Sequence, residues 1–260
     1  MQAQSGVDDG APKASGAARS AAPDRGGRVR VLRLEPALTQ GLSRPTLVEA
    51  ERRCLARTVH LRPCSWKVAE GLAEHDARYA IVLEGFALRR TRVAGQRFVE
   101  LLGPGELLGA ADQARDDASV TLRAVTPVVC AVLDRDFFRL ASAWPEVGQN
   151  ITAMALERAA ELAHHAALLR ISPLHRRVHA VLWRLGEHWG RMTPRGVRLP
   201  FPLTQADIAD LVAATRPSVN LALGVLRDRG IAEEERTGCW VLRRPAAIEA
   251  AARDDDASMV

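Results

Sequence analysis

Arg216, Ser218 and Asn220 cluster just after Thr215 in the stretch LTQADIADLVAATRPSVNLALGVLRDRGI, Leu203 to Ile231. An arginine fork bonds the N7 and O6 acceptors of guanine bidentately, and short hydroxyl and amide side chains bond phosphate or a base edge. Such groups act together only if a rigid element presents them on one face. Thr215 stands where a helix N-cap would, and Pro217 falls in the first turn, where a missing N–H costs nothing. Val219, Leu223 and Leu226 recur as a buried stripe. Thr204 caps a preceding helix whose Ile208, Leu211 and Val212 face inward, and Ala213 and Ala214 supply a tight turn. Two short helices joined by small residues predict a helix-turn-helix. If its second helix enters the major groove, Arg216, Pro217, Ser218 and Asn220 reach base edges, while Thr204 and Gln205 clamp phosphate. Gly230, a strand start at Ile231, a turn through Thr237 and Gly238, and Trp240 to Leu242 predict a two-stranded wing with Arg236 at its tip. A plain helical hairpin followed by a β-ribbon shares this local pattern, so the elements around it decide.

Upstream, the pattern is one of short apolar or alternating runs: 58–61, 79–83, 86–90, 98–102, 119–125 and 128–133. Gly71, Gly85, Gly95, Gly103, Pro104, Gly105 and Pro127 separate them, which predicts an antiparallel sandwich or barrel. Asp134 reads as an N-cap before Phe137, Phe138 and Leu140. A long helix from Pro145 to about Leu169 repeats Val147, Ile151, Met154, Ala155, Leu162, Ala166 and Leu169, one face for the sheet and another for a twin copy. Pro173 interrupts it, and a helix from His175 to about Trp189 follows with Val178, Val181, Leu182 and Leu185 on one side. The expected organisation is a disordered tail over 1–28, a β-roll over 29–144, a dimerisation helix over 145–171, a winged helix-turn-helix over 172–245 and a flexible acidic tail over 246–260.

Composition bounds the partners. The formal net charge is +5, with Lys13 and Lys67 the only lysines. From Arg170 to Arg244 there are 13 Arg against 7 Asp and Glu, the excess a phosphate-binding surface needs. No apolar run is long enough to span a membrane and no signal-peptide block opens the chain, so a cytoplasmic protein is expected. Cys54, Cys64, Cys130 and Cys239 are dispersed without a CxxC pair, which fits reduced thiols and no closed metal site. No Gly-rich phosphate loop or GxSxG nucleophile points to an enzyme, and nothing calls for a cofactor.

A β-rich region, a long helix and then this motif resemble the Crp/Fnr family of bacterial regulators over about residues 30–245, through VLEGFALRR, ELLGPGELLGAAD, VLDRDFF and the segment from Leu203 to Ile231. The resemblance implies an α+β fold: an antiparallel, jelly-roll-like β-roll of cyclic-nucleotide-binding type, a long dimerisation helix and a C-terminal winged helix-turn-helix. It further implies a homodimer on two-fold related double-stranded DNA, with RNA polymerase as a partner if the protein activates. The pocket of nucleotide-responsive members maps onto Gly105, Glu106, Leu107, Ala110, Ala118 and Ser119. Such members place a glutamate on the ribose and an arginine and a serine on the phosphate, and here those positions are Ala110, Ala118 and Ser119. Loss of a buried phosphate partner costs roughly 2 to 5 kcal/mol, so ordinary cyclic-AMP binding is not expected. An alternative alignment brings Arg115 or Arg123 toward the pocket. Where base-facing hydroxyls occur in the family, this chain has Leu162, Ala163, His164 and His165. Adjacent histidines on a helix point about 100° apart and rarely share a metal, so His164 and His165 are expected to be solvated or interfacial. Cys54 and Cys64 lack the companions of an iron–sulfur cluster. Leu221 stands where members often carry an arginine, which implies a different or looser base preference. Two functions remain open: a regulator that binds DNA without cyclic AMP, and one whose β-roll takes a nucleotide or other small molecule to switch DNA binding.

Overall fold

A computed structural model describes residues 27–61, 65–109 and 118–243. The expected N-terminal tail up to residue 26, the acidic tail over 246–260, Cys64, Ala110 and Arg115 lie outside the described residues.

The chain opens with β1 (Arg28–Val29), α1 (Val31–Leu34), a 3-10 turn over Pro36–Thr39, α2 (Arg44–Arg53) and β2 (Ala56–Leu61). Next come β3 (Ser65–Lys67), α3 (Val68–Ala73), β4 (Ala77–Glu84), β5 (Ala87–Val93), β6 (Gln96–Leu102), β7 (Leu107–Gly109), β8 (Ala118–Ala124) and β9 (Val128–Asp134). Three helices follow, α4 (Arg135–Ala141), α5 (Pro145–Leu168) and α6 (Leu174–Trp189). The C-terminal part holds β10 (Arg191–Thr193), β11 (Gly196–Arg198), α7 (Gln205–Leu211), α8 (Arg216–Asp228), β12 (Ala232–Arg236) and β13 (Cys239–Leu242).

The N-terminal strands form two antiparallel sheets, ordered β1-β2-β9-β4-β7 and β3-β8-β5-β6. Because successive side chains alternate faces, each strand serves two cores. Ala80 and Val82 of β4, Ala87 of β5 and Leu102 of β6 fill the space between the sheets. Ile81, between the first two, points the other way, into a core shared with Phe137 of α4, Trp144, and Val147 and Ile151 of α5. Gly85 makes the β4–β5 turn at φ +82, and a Cβ there would lie 1.9 Å from the Pro127 carbonyl oxygen, so no other residue fits.

Leu88, Val99 and Leu101, on the outer face of the second sheet, belong to the same apolar cluster as α6, α7, α8 and Trp240. The two halves of the chain are therefore joined by a shared core. The wing is larger than the expected two-stranded ribbon: β12 and β13 extend into a four-stranded sheet with the β10–β11 hairpin, in the order β10-β11-β13-β12. Among the described residues no helix is long and apolar enough to cross a membrane.

Candidate nucleic-acid interface

The local chemistry of α7 and α8 follows from their caps. Thr204 accepts from the Asp207 backbone N–H at 3.2 Å, and Asp207 accepts from the Thr204 backbone N–H at 3.1 Å, a reciprocal capping box. The Thr204 hydroxyl also gives its one proton to Asp207 at 2.8 Å, which leaves Gln205 as the side-chain donor of the expected phosphate clamp. Gln205 in turn donates to the Asn220 side-chain oxygen at 3.2 Å, tying the two helices together and leaving Asn220 its NH2 donors. Ala213, at φ +50, makes the turn between them.

Thr215 caps α8 by accepting from the Ser218 N–H at 3.3 Å, and the two hydroxyls share a hydrogen bond of 2.8 Å. Val219, Ala222, Leu223 and Leu226 are buried and fix the helix on its core. The opposite side is open: Thr215, Arg216, Pro217, Asn220 and Leu221 are exposed and Ser218 is half-buried. Arg236 is exposed at the end of β12, at the wing turn.

A second set of charges, not anticipated from sequence, faces the other way. Asp210 of α7 accepts from Arg90 at 3.1 Å and pairs with Arg97 at 2.7 Å, both from the β5–β6 hairpin. Asp207, besides capping α7, pairs with Arg123 of β8. His165 on α5 completes the junction: it is buried, packs edge-on against Phe98 at 5.2 Å, and its Nε2 lies 3.1 Å from the Leu211 carbonyl oxygen at the end of α7. Burial lowers its pKa from the ordinary value, against the opposing hydrogen bond to Leu211. His164 is exposed. The first helix of the motif thus docks on the β-sheet while the second keeps its polar face in solvent.

Of the residues mapped onto a nucleotide pocket, Gly105, Glu106, Leu107, Ala118 and Ser119 are described. Gly105 sits in a turn at φ +89, and Leu107 is buried in the core. Ser119 is exposed on β8, opposite Arg92, with Ala118 beside it in the same strand. Glu106 is buried and pairs with Arg158 of α5 at 2.8 Å, with His188 of α6 3.8 Å away. Arg158 also pairs with Glu100, which meets Arg89 at 3.3 Å. Burial raises the Glu106 pKa, while the Arg158 charge opposes the rise. The cavity among these charges measures about 30 Å³ and has room for ordered water. Arg123 is engaged by Asp207 of α7. Among the described residues no group of three His, Cys, Asp or Glu side chains is placed to hold a metal ion.

Comparison with known proteins bears on both halves. Residues 176–251 match the Crp-like helix-turn-helix domain. Over 171 residues the chain is 28% identical to a Mycobacterium tuberculosis protein named CRP-like cAMP-activated global transcriptional regulator, which covers 62% of this chain and 73% of that protein. Among solved structures, a CooA mutant from Carboxydothermus hydrogenoformans is similar at a TM-score of 0.60 and 16% identity, covering 75% of this chain and 87% of its own. FixK2 from Bradyrhizobium japonicum is similar at 0.58 and 19%, covering 75% and 96%. The c-di-GMP-responsive regulator CLP of Xanthomonas campestris is similar at 0.54 and 18%, covering 76% and 98%.

Proposed function

We propose that the chain is a transcription regulator of the Crp/Fnr type rather than an enzyme, a cytoplasmic homodimer that reads two-fold related duplex DNA through α8 without requiring cyclic AMP. The observation that carries this reading is the division of α8 into a buried stripe through Val219, Ala222, Leu223 and Leu226 and an exposed side with Arg216 and Asn220. Such a helix is anchored on one side and offers donors on the other, as groove readout requires. Gln205, Thr215, Ser218 and Arg236 surround it as positioning contacts to phosphate, with Thr204 holding the start of α7 in place through Asp207. The regions carrying these roles are a β-roll over 29–144, a dimerisation helix over 145–171 and a DNA-binding part over 172–245.

Two further observations support the parts of this proposal. Along α5, Val147, Ile151, Met154, Arg158 and His165 face the fold, whereas Thr152, Leu156, Ala159, Ala163 and Ala166 are exposed. These five, taken from a longer run of exposed residues, recur at alternating spacings of four and three, a spacing compatible with the seam of a two-helix coil. Independence from cyclic AMP rests on Ala110 and Ala118, which offer neither an acid nor a cation, and on the ion pairs that already occupy Glu106 and Arg123. RNA polymerase would be a partner if the protein activates transcription.

A second reading, in which an effector switches DNA binding, is favoured by the cAMP-activated name of the M. tuberculosis relative. Gel retardation of genomic fragments by the purified apo protein at low salt separates the two. Full affinity without ligand, unchanged by added cyclic AMP, is expected; an enhancement of tenfold or more by cyclic AMP selects the second reading.

A further inference from the structure

We propose that Leu221 is a specificity residue that packs against the 5-methyl group of a thymine in the major groove; this rests on α8 being the DNA-reading helix. Leu221 is 74% exposed, the most exposed large apolar side chain among the described residues. At about 100° per residue it lies roughly opposite the buried stripe, at the outward pole of α8. Pro217 stands one turn before it and Val225 one turn after, so the pole carries a short apolar strip that ends at the exposed Asp228 on the last turn of α8.

The flanks define what covers that strip. Arg216, Asn220 and Arg227 are exposed along one side of the same helix. Guanidinium groups toward both ends with an apolar centre suit a groove whose rims are phosphate and whose floor is base edges. On that floor, the apolar group a duplex presents is the thymine 5-methyl. Gly224 supplies an independent observation. It lies in the interior of α8, where glycine is disfavoured relative to alanine, yet a Cβ there would meet nothing within 4 Å. Nothing in the chain's own packing calls for glycine at this position, whereas close approach of a groove wall beside Leu221 does.

The test uses the full chain and duplex DNA. Sites are selected from a random-sequence duplex library by gel retardation, and the selected duplex is resynthesised with deoxyuridine replacing each thymidine in turn, which removes only the methyl group. At one thymine per half-site, the substitution is expected to weaken wild-type binding about fourfold, or about 0.8 kcal/mol, the value of one buried methyl-sized group. The Leu221→Ala variant, altered at an exposed position and so still folded, is expected to bind the thymine and uracil duplexes equally. Gly224→Ala is expected to raise the Tm while weakening binding to the selected duplex. If no thymine position distinguishes the two duplexes for the wild type, or if Leu221→Ala retains the same discrimination, the proposal is overturned and the strip falls to a protein partner or a second copy. If no library member is retarded at all, the DNA-reading function itself fails, and this inference with it.

Discussion

Asp210 holds two arginines of the β5–β6 hairpin, and the two pairs are predicted to contribute unequally. By distance alone the Arg97 pair, at 2.7 Å, ranks above the Arg90 pair, at 3.1 Å. Exposure reverses that order: the Arg97 side chain is 52% exposed and the Arg90 side chain 31%, against 13% for Asp210. An exposed pair is worth a few tenths of a kcal/mol, because water screens it and a long side chain must be ordered. A sheltered, charge-assisted hydrogen bond is worth about 1.5 kcal/mol, and its loss leaves a half-buried guanidinium with nothing to meet. Double-mutant cycles crossing Arg90→Ala and Arg97→Ala with Asp210→Ala, read by urea unfolding through the tryptophan fluorescence, separate the two terms. The expected coupling is about 1 to 1.5 kcal/mol for Arg90 and no more than about 0.5 kcal/mol for Arg97. In about 1 M salt, where the screening length falls to about 3 Å, the Arg97 coupling disappears and most of the Arg90 coupling persists. A larger coupling for Arg97 than for Arg90 would refute the argument that burial outranks distance here.

Three other outcomes follow from particular residues. Arg216→Ala is expected to lose roughly 1 to 3 kcal/mol of DNA affinity and to relax discrimination at one base pair of each half-site; equal loss on every sequence would mean that Arg216 touches only phosphate. His165 and His179 both have pKa values lowered by burial from the ordinary 6.5, so the unfolded chain takes up their protons first on acidification. Their contribution to stability is present above about pH 6.5 and is lost as pH falls through the window below it, whereas Glu106, raised by burial, acts in the opposite sense toward its ordinary value. His165→Gln should flatten the acid limb of the urea-midpoint profile relative to wild type, and an unchanged slope would exclude His165 as a contributor. Burial pushes the Cys54 thiol up to about 11, against the opposing charge of Arg53, and the Cys130 thiol up to about 12. Both should resist a thiol reagent at pH 8 until the protein unfolds, and rapid labelling of either in the native state contradicts their burial.

Much of the architecture was legible because it is written in local periodicity. Alternation across the strands, the Asp134 cap and the apolar stripes of α6 and α8 depend on near neighbours, and the elements appear where those patterns end. Helix α2 was not read, although Ser43 before Pro45 is a start signal, because its apolar face is slight. The β10–β11 hairpin escaped because its strands are only three residues long and are held by pairing with β13, which no local pattern announces. The docking of α7 was invisible for a different reason. Asp207 and Asp210 look like solvated residues of a short helix, and their partners Arg90 and Arg123 lie 120 and 84 residues away. Thr204 with Asp207 three residues later was the one available signal, and it announced the cap rather than the ion pair. His165 was expected to be solvated or interfacial; its burial follows from the same docking, since Leu211 and Phe98 close over it.

The account turns on a pair of α8 helices entering one face of a duplex. Hydroxyl-radical footprinting of a selected fragment with the full-length apo protein tests this directly. The expected result is two protected half-sites whose centres lie about 34 Å apart, with protection reduced by Arg216→Ala. A single protected half-site contradicts the two-fold arrangement, and an unprotected fragment contradicts the DNA-reading role of α8.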